Sequence, residues 1–147
     1  MRAVVQRVNH VRVVVDGEVA GEIGAGLLIY VGVAGGDGEQ QARWLASKVA
    51  ELRLFPDKQG RFDRSLLDTG GAALVVSQFT LLADTRRGRR PSFFDSAPPE
   101  LAEPLVEQVM AELRDLGVEV ASGRFGARML VASENDGPVT ITLDSER

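Results

Sequence analysis

Residues 2–33 read RAVVQRVNHVRVVVDGEVAGEIGAGLLIYVGV, and the spacing of their apolar side chains decides the fold class. Val4, Val5, Val8, Val11, Val13, Val14 and Val15 follow a largely alternating, β-branched order over residues 2–15, which suits a long strand with one buried face. Asp16-Gly17 then supplies the residue types that a tight hairpin demands, because both tolerate positive φ. Residues 18–22 are expected to return as a short strand, and Gly24-Ala25-Gly26 to turn the chain again. Leu27 to Val33 is a continuous apolar run of the kind a strand needs when both its faces are covered. The chain therefore opens as a β-meander.

Working outward, the pattern changes to helical spacing over residues 39–54. Ala42, Leu45, Ala46, Val49 and Leu52 fall on one face, with Gln40, Gln41, Arg43, Lys48 and Glu51 largely off it. Pro56 ends that helix. A second helix is signalled by Ser96 or Ala97 before Pro98-Pro99, by acidic Glu100 and Glu103, and by Leu101, Leu105, Val109 and Leu113 at four-residue spacing, with Gly117 closing it. Pro104 is expected near the first turn, where the missing N–H is tolerated. Residues 73–82 between the helices are apolar and β-branched and read as a strand. Residues 118–121, 129–133 and 139–143 read as three more, with Asp136-Gly137-Pro138 punctuating the last two. With no repeat or linker, residues 1–147 are expected to form one α+β domain. Its expected core is a mainly antiparallel, curved, barrel-like sheet with two packed helices. So many strands exceed what two helices can cover, so part of the sheet is expected to be buried by a second copy in a homodimer.

Composition narrows the function classes. The 147 residues, with 44% hydrophobic and 26% charged, are globular in kind. The absence of cysteine excludes thiolate nucleophiles, disulfides and thiolate metal sites. The polar-apolar alternation from Met1 to Arg7 is unlike a signal peptide, and no apolar run reaches spanning length, so a cytoplasmic protein with no membrane partner is expected. A net charge of -4 argues against a generally basic nucleic-acid binder but leaves room for a local basic patch.

Common side-chain machinery is missing too. His10 is the single histidine and lies at a polar position of the first alternating strand, so neither a Ser-His-Asp triad nor a histidine metal site can be built without it. The 21 acidic residues are scattered, and no pair stands out. Gly35-Gly36 and Gly70-Gly71 lack the Lys-Ser/Thr of a phosphate loop and read as turns. An enzyme built from this chain would have to work largely with its backbone.

Two segments point to a chemistry of that kind. Ser77-Gln78-Phe79-Thr80-Leu81 ends a hydrophobic strand, and Gly137-Pro138-Val139-Thr140 begins the last one. Both match signature motifs of D-aminoacyl-tRNA deacylases, and the resemblance runs over essentially the whole chain. It includes the opening MRAVVQRV, the loop ADTRRGRRPSF from Ala83 to Phe93, and GRFGARM leading to NDGPVT. The chain thus resembles an esterase family that frees tRNA from D-amino acids joined to its terminal adenosine.

The resemblance implies roles for particular residues. Ser77, Gln78, Phe79 and Thr80 would shape the site beside the ester, with main-chain N–H groups near Phe79 and Thr80 facing its carbonyl oxygen. An aminoacyl ester is already activated, so positioned water and an N–H oxyanion site suffice, without metal or cofactor. Thr80 as a covalent nucleophile is the competing reading. The lack of a histidine to activate it favours a route in which the 2′-hydroxyl of the adenosine helps activate water. Gly137 and Pro138, with Val139 and Thr140, would form a cis-peptide wedge inserted into the partner subunit's site, excluding L side chains while passing D-residues and glycine. Arg7 matches the family position that holds this segment, and it equally fits an exposed strand arginine. Arg86, Arg87, Arg89 and Arg90 around Gly88 suit phosphate contact at the tRNA acceptor end or a solvated turn. Phe125, between Gly123 and Gly126, suits stacking on the terminal adenine or core packing. A different class also fits these residues: a non-catalytic RNA-binding β-domain.

Overall fold

The computed structural model describes residues 1–146. The opening meander is present as β1 (Arg2–Val15), β2 (Glu18–Ile23) and β3 (Gly26–Gly32). The turn falls where expected, with Asp16 and Gly17 both at positive φ. On β1, Ala3 and Val5 are buried in one apolar cluster and Val8, Val11, Val13 and Val15 in another, so the alternation holds within each half of the strand and breaks between Val5 and Val11, where the register shifts.

β1 pairs antiparallel with β2, β3 and β8 (Leu130–Asp144). The expectation of a mainly antiparallel sheet is corrected beyond β3. There β6 (Ala72–Ser77) runs parallel to β3, and β7 (Val120–Ser122) runs parallel to β6. The reason lies in the connections, because parallel neighbours need a long crossover and each of these pairs has one. α1 (Glu39–Glu51) lies between β3 and β6, and α3 (Pro99–Asp115) between β6 and β7. The resulting order, β2-β1-β3-β6-β7, curls until its ends meet. Gly21 of β2 lies so close to the Ser122 carbonyl of β7 that a Cβ there would sit 2.2 Å from the oxygen. The sheet is therefore mixed and nearly closed into a barrel.

Two apolar clusters fill the molecule. One lies between sheet and helices and joins Val5, Leu27, Ile29 and Val75 to Leu45, Val49, Val109 and Leu113. The other is formed by strand residues such as Val11, Val13, Leu28 and Leu74, with Met129 and Val131 packed against it. Helix α1 buries Ala42, Leu45, Ala46 and Val49 as its spacing requires. Helix α3 buries Ala102, Val106, Val109, Met110 and Leu113 while Leu101 stays exposed, so its apolar face is rotated from the expected one. Pro104 is the sixth residue of α3, inside the helix rather than in its first turn. An interior proline costs about 3 kcal/mol. Burying side chains such as Val109, Met110 and Leu113, at about 1.5–3 kcal/mol each, outweighs it.

Four local features depart from the sequence reading. A third, short helix α2 (Leu66–Thr69) is started by a capping box in which Ser65 Oγ accepts from Asp68 N–H and the Asp68 carboxylate accepts from Ser65 N–H. It follows a small hairpin of β4 (Phe55–Pro56) and β5 (Phe62–Arg64). The strand expected over residues 73–82 ends at Ser77, and Phe79–Leu82 forms one 3₁₀ turn instead. The two last strands expected over residues 129–143 are one continuous strand, β8, whose register shifts opposite Arg7. No helix among the described residues is long and apolar enough to cross a membrane.

Candidate active site

The parallel strands β3 and β6 end side by side at Val31 and Ser77, and Gln78 N–H donates to the Val31 carbonyl at 2.7 Å. Beyond that bond the chain turns at once into the 3₁₀ turn, with Leu81 N–H donating to Gln78 O. Gly32 permits this, since a Cβ there would stand 2.6 Å from Leu82 Cδ2 and 2.9 Å from the Gln78 carbonyl. Leu82 is buried as the anchor, whereas Phe79 and Thr80 are exposed. Because the turn begins at Phe79, the N–H groups of Phe79 and Thr80 precede its first internal hydrogen bond. Among the described residues neither has a hydrogen-bond partner outside the turn, which leaves both able to donate to a ligand.

A cavity of about 600 Å³ opens beside the turn. Ser77, Gln78, Phe79 and Phe125 all line it, so two segments nearly fifty residues apart in the chain meet there. Val33, Val76, Ala97, Met129 and Val131 line its apolar wall, and Phe93 stands at Phe79 with ring centroids 5.0 Å apart in an edge-to-face arrangement. No lining residue among the described ones carries a charge. An uncharged wall of this kind suits a flat neutral ring, and it strengthens any N–H dipole aimed into it. Phe125 is half-buried, packing on the helix-side cluster while also facing the cavity, so both expected readings describe part of it.

Thr80 is outside the cavity wall. Its Oγ1 accepts from Gln78 Nε2 at 2.5 Å, and among the described residues no imidazole or carboxylate hydrogen-bonds to it. His10 is remote from this chemistry, exposed on β1 with Nε2 2.6 Å from Glu22 Oε2.

Gly137, Pro138, Val139 and Thr140 are not brought to this cavity within the chain. Ser77 pairs with Val31, Val31 with Ala3, and Ala3 with Leu143. The β8 motif therefore lies three strand spacings away, roughly 14 Å across the sheet, before any distance along the strand is counted. It also leaves the sheet surface. Gln6 pairs with Thr140 and Val8 with Asn135, so Asp136, Gly137, Pro138 and Val139 all stand opposite the single residue Arg7. Gly137 and Pro138 are exposed at the tip, joined by a cis peptide bond.

Arg7 sits beneath that projection. Its side chain is only 12% exposed, with Nε donating to Asp136 O at 3.1 Å and Nη1 to Leu54 O at 2.7 Å. Arg7 is thus a half-buried, hydrogen-bonded side chain and not the exposed strand arginine of the alternative reading.

The four arginines do not share one role. Asp84 accepts from Arg86 through N–H, Nε and Nη2, at 3.0, 2.9 and 2.7 Å, and its pairing with Ser92 closes the loop. The Arg86 hydrogen bonds hold the Asp84 carboxyl well below the usual carboxylate range. No described carboxylate lies within ion-pair distance of Arg87, Arg89 or Arg90, which are exposed. Asp84, Asp136, Asn135 and Phe93 lie in segments the sequence reading quoted, but it gave none of them a role in the site. Asn135 and Asp136 carried a signal only as the start of an Asn-Asp-Gly turn.

Comparison with known proteins adds to this geometry. A sequence profile described as D-Tyr-tRNA(Tyr) deacylase matches residues 4–144. The chain is 67% identical over 145 residues to a D-aminoacyl-tRNA deacylase of Roseiflexus sp. (strain RS-1), covering 99% of this chain and 94% of that protein. It is 59% identical over 145 residues to a D-aminoacyl-tRNA deacylase of Thermomicrobium roseum, with the same coverage of 99% and 94%. Among solved structures, a c-Myc DNA unwinding element binding protein superposes with a TM-score of 0.92 at 37% identity over 99% of both chains. A probable eukaryotic D-amino acid tRNA deacylase superposes with a TM-score of 0.84 over 97% of both chains. At 17% identity, that second likeness is one of fold alone.

Proposed function

Because the chain belongs to the D-Tyr-tRNA(Tyr) deacylase family, we propose that it hydrolyses the ester between a D-amino acid and the 3′-terminal adenosine of tRNA. Water adds to the ester carbonyl carbon, and the bond to the ribose oxygen breaks. The products are the free D-amino acid and tRNA with its hydroxyl restored. Such an activity would serve chiral proofreading in translation, in the cytoplasm.

The observation that carries this reading is the meeting of the Ser77–Phe79 segment with Phe125 at one uncharged cavity. The terminal adenine would lie in that cavity against Phe125. The ester carbonyl would then face the two open N–H groups of Phe79 and Thr80, which would stabilise the tetrahedral oxyanion. Thr80 is poorly placed to attack, since its hydroxyl already accepts from Gln78 and has no base. The adjacent ribose 2′-hydroxyl is the better group to help activate water. Ser77 and Gln78 would hold the turn and the substrate in register.

The wedge needs a second subunit. Gly137 and Pro138 project from β8 on the far side of β1 and β3, out of reach of their own chain's Thr80. A homodimer would lay each projection over its partner's turn. Backbone atoms of Gly137 and Pro138, flanked by Val139 and Thr140, would then fill the space an L side chain requires, and glycyl-tRNA, with no side chain to exclude, would also be cleaved. Arg87, Arg89 and Arg90 would meet acceptor-end phosphates, with Arg86 shaping their loop through Asp84.

The deciding experiment compares release of tyrosine from D-Tyr-tRNA and L-Tyr-tRNA under conditions where both RNAs bind equally. Cleavage of the D-ester alone is expected. Equal binding with no cleavage of either would leave an RNA-binding domain, and equal cleavage of both would remove exclusion by the wedge.

A further inference from the structure

The projection on β8 has two anchors, and the second is a side chain with no place in the chemistry above. Arg7 fixes the first residue, Asp136, from below. At the other end Asn135 Oδ1 accepts from Val139 N–H at 3.1 Å, and Asn135 Nδ2 donates to Thr140 Oγ1 at 3.1 Å. Thr140 Oγ1 also accepts from Gln6 Nε2 at 3.1 Å, which ties the same point to β1 underneath. One amide thus spans the mouth of a bulge in which four residues face one. An acceptor and a donor on a short, planar group are what this mouth requires, because Val139 presents an N–H and Thr140 a hydroxyl oxygen. Between the two anchors Gly137 and Pro138 have little freedom to tilt.

We propose that Asn135 is a positioning residue for chiral selection: its amide sets the height and angle of the Gly137–Pro138 tip, and with them the margin between D- and L-substrates. This assignment rests on the functional reading above. A tip free to swing would admit an L side chain even though every residue of the tip is unchanged.

The test measures kcat/KM for D-Tyr-tRNA and L-Tyr-tRNA together with hydrogen exchange of the Val139 amide. The proteins are the wild type, Asn135→Ala and Asn135→Asp. In Asn135→Ala the D-to-L ratio is expected to fall about tenfold, the factor that one net hydrogen bond carries. The Val139 amide should exchange faster in the same variant. Asn135→Asp keeps an acceptor for Val139 N–H and can accept from the Thr140 hydroxyl, so its ratio should stay within about threefold of wild type. An unchanged ratio in Asn135→Ala, or a Val139 amide already unprotected in the wild type, would overturn the assignment. Should Asn135→Ala fail to fold, Asn135→Leu, which removes both amide bonds while keeping a side chain of similar size, takes its place, and an unchanged ratio there is equally fatal. Wild-type cleavage of both hands at equal rates would instead strike the functional reading itself, and this assignment with it. The Val139 amide would then report separately whether the clamp exists.

Discussion

Arg7 holds Asp136 twice, through Nε to the carbonyl oxygen at 3.1 Å and to the carboxylate Oδ2 at 3.2 Å. A third bond, from Nη1 to Leu54 O at 2.7 Å, and the Phe62 ring 6.0 Å away complete its surroundings. The strand that lies under the projection therefore also ties it to the segment leading into the β4–β5 hairpin.

Replacing Arg7 separates charge from geometry. The ion pair itself contributes little, since Asp136 is 44% exposed and such pairs give about 0–1 kcal/mol. The two carbonyl bonds matter more, because Arg7→Ala leaves both acceptors without that donor, at about 1–3 kcal/mol in all. Arg7→Lys keeps the charge but cannot reach Asp136 and Leu54 as a fork. Both variants are expected to lose D-over-L discrimination, and urea unfolding should show Arg7→Ala as the less stable. Full selectivity in Arg7→Lys would mean that charge alone suffices.

Thr80 is expected to be dispensable to within about tenfold, equivalent to ~1.4 kcal/mol of barrier. Its hydroxyl serves only as an acceptor for Gln78 here, and its main-chain N–H survives in Thr80→Ala. Loss of a true nucleophile would cost on the order of 10⁴-fold or more. Single-turnover deacylation by Thr80→Ala, with mass spectrometry for an acyl-enzyme, distinguishes the two. A substrate ending in 2′-deoxyadenosine should be cleaved about a hundredfold more slowly by the wild type, as expected on losing a general acid–base group. Full activity on that substrate would exclude the 2′-hydroxyl as the water-activating group.

Much of this was legible locally, and the exceptions share a cause. Alternating valines marked β1, and the Ala42–Val49 spacing marked α1, because each half of β1 and the whole of α1 bury one face of regular period. Parallel pairing was readable in principle, since helical segments separate the apolar runs of β3, β6 and β7. The 3₁₀ turn was not, because Phe79 and Thr80 are good strand formers and Leu81 and Leu82 prolong the apolar run. What bends them is Leu82 docking against Gly32, a partner fifty residues earlier. The same holds for β8. Gly137-Pro138 reads as a strand break, and only the distant Arg7 and the clamp at Asn135 carry pairing across it. Ser77 to Phe79 and Phe125, which line the cavity, lie in segments that carried the resemblance, while Phe93, Met129 and Val131, which build its wall, carry no chemical mark in a sequence rich in such residues.

Gly32 offers a test of how firmly the turn is held. A methyl group there must displace Leu82 Cδ2, at 2.6 Å, or the Gln78 backbone, at 2.9 Å. Overpacking of this kind costs about 1–3 kcal/mol. Gly32→Ala is expected to lower the unfolding midpoint and, because Gln78 leads directly into Phe79 and Thr80, to reduce kcat more than it raises KM. Loss of stability with kcat intact would show that the turn absorbs the methyl without moving its N–H groups.

The arginine loop should divide three against one. Arg87, Arg89 and Arg90 have no described carboxylate partner, whereas Arg86 is held by Asp84. If the three contact phosphates, replacing each with glutamine should raise KM for tRNA while leaving kcat alone. Each should also reduce the slope of log affinity against log salt by about 1. Arg86→Gln should behave differently, loosening the loop without removing a phosphate contact, so that KM rises with little change in slope. The Asp84 carboxyl, held far below its ordinary range, is ionised at every pH where the enzyme would be assayed. A depressed carboxyl supports the folded loop at pH above the unfolded value, about 3.9, and that support is lost only as pH falls through the lower folded value. Binding should consequently be indifferent to Asp84 between about pH 5 and 8 in the wild type. Asp84→Asn, which keeps the shape but weakens the grip on Arg86, should mimic Arg86→Gln at every pH in that window. A slope that falls as much for Arg86→Gln as for Arg87→Gln would instead place Arg86 on the RNA.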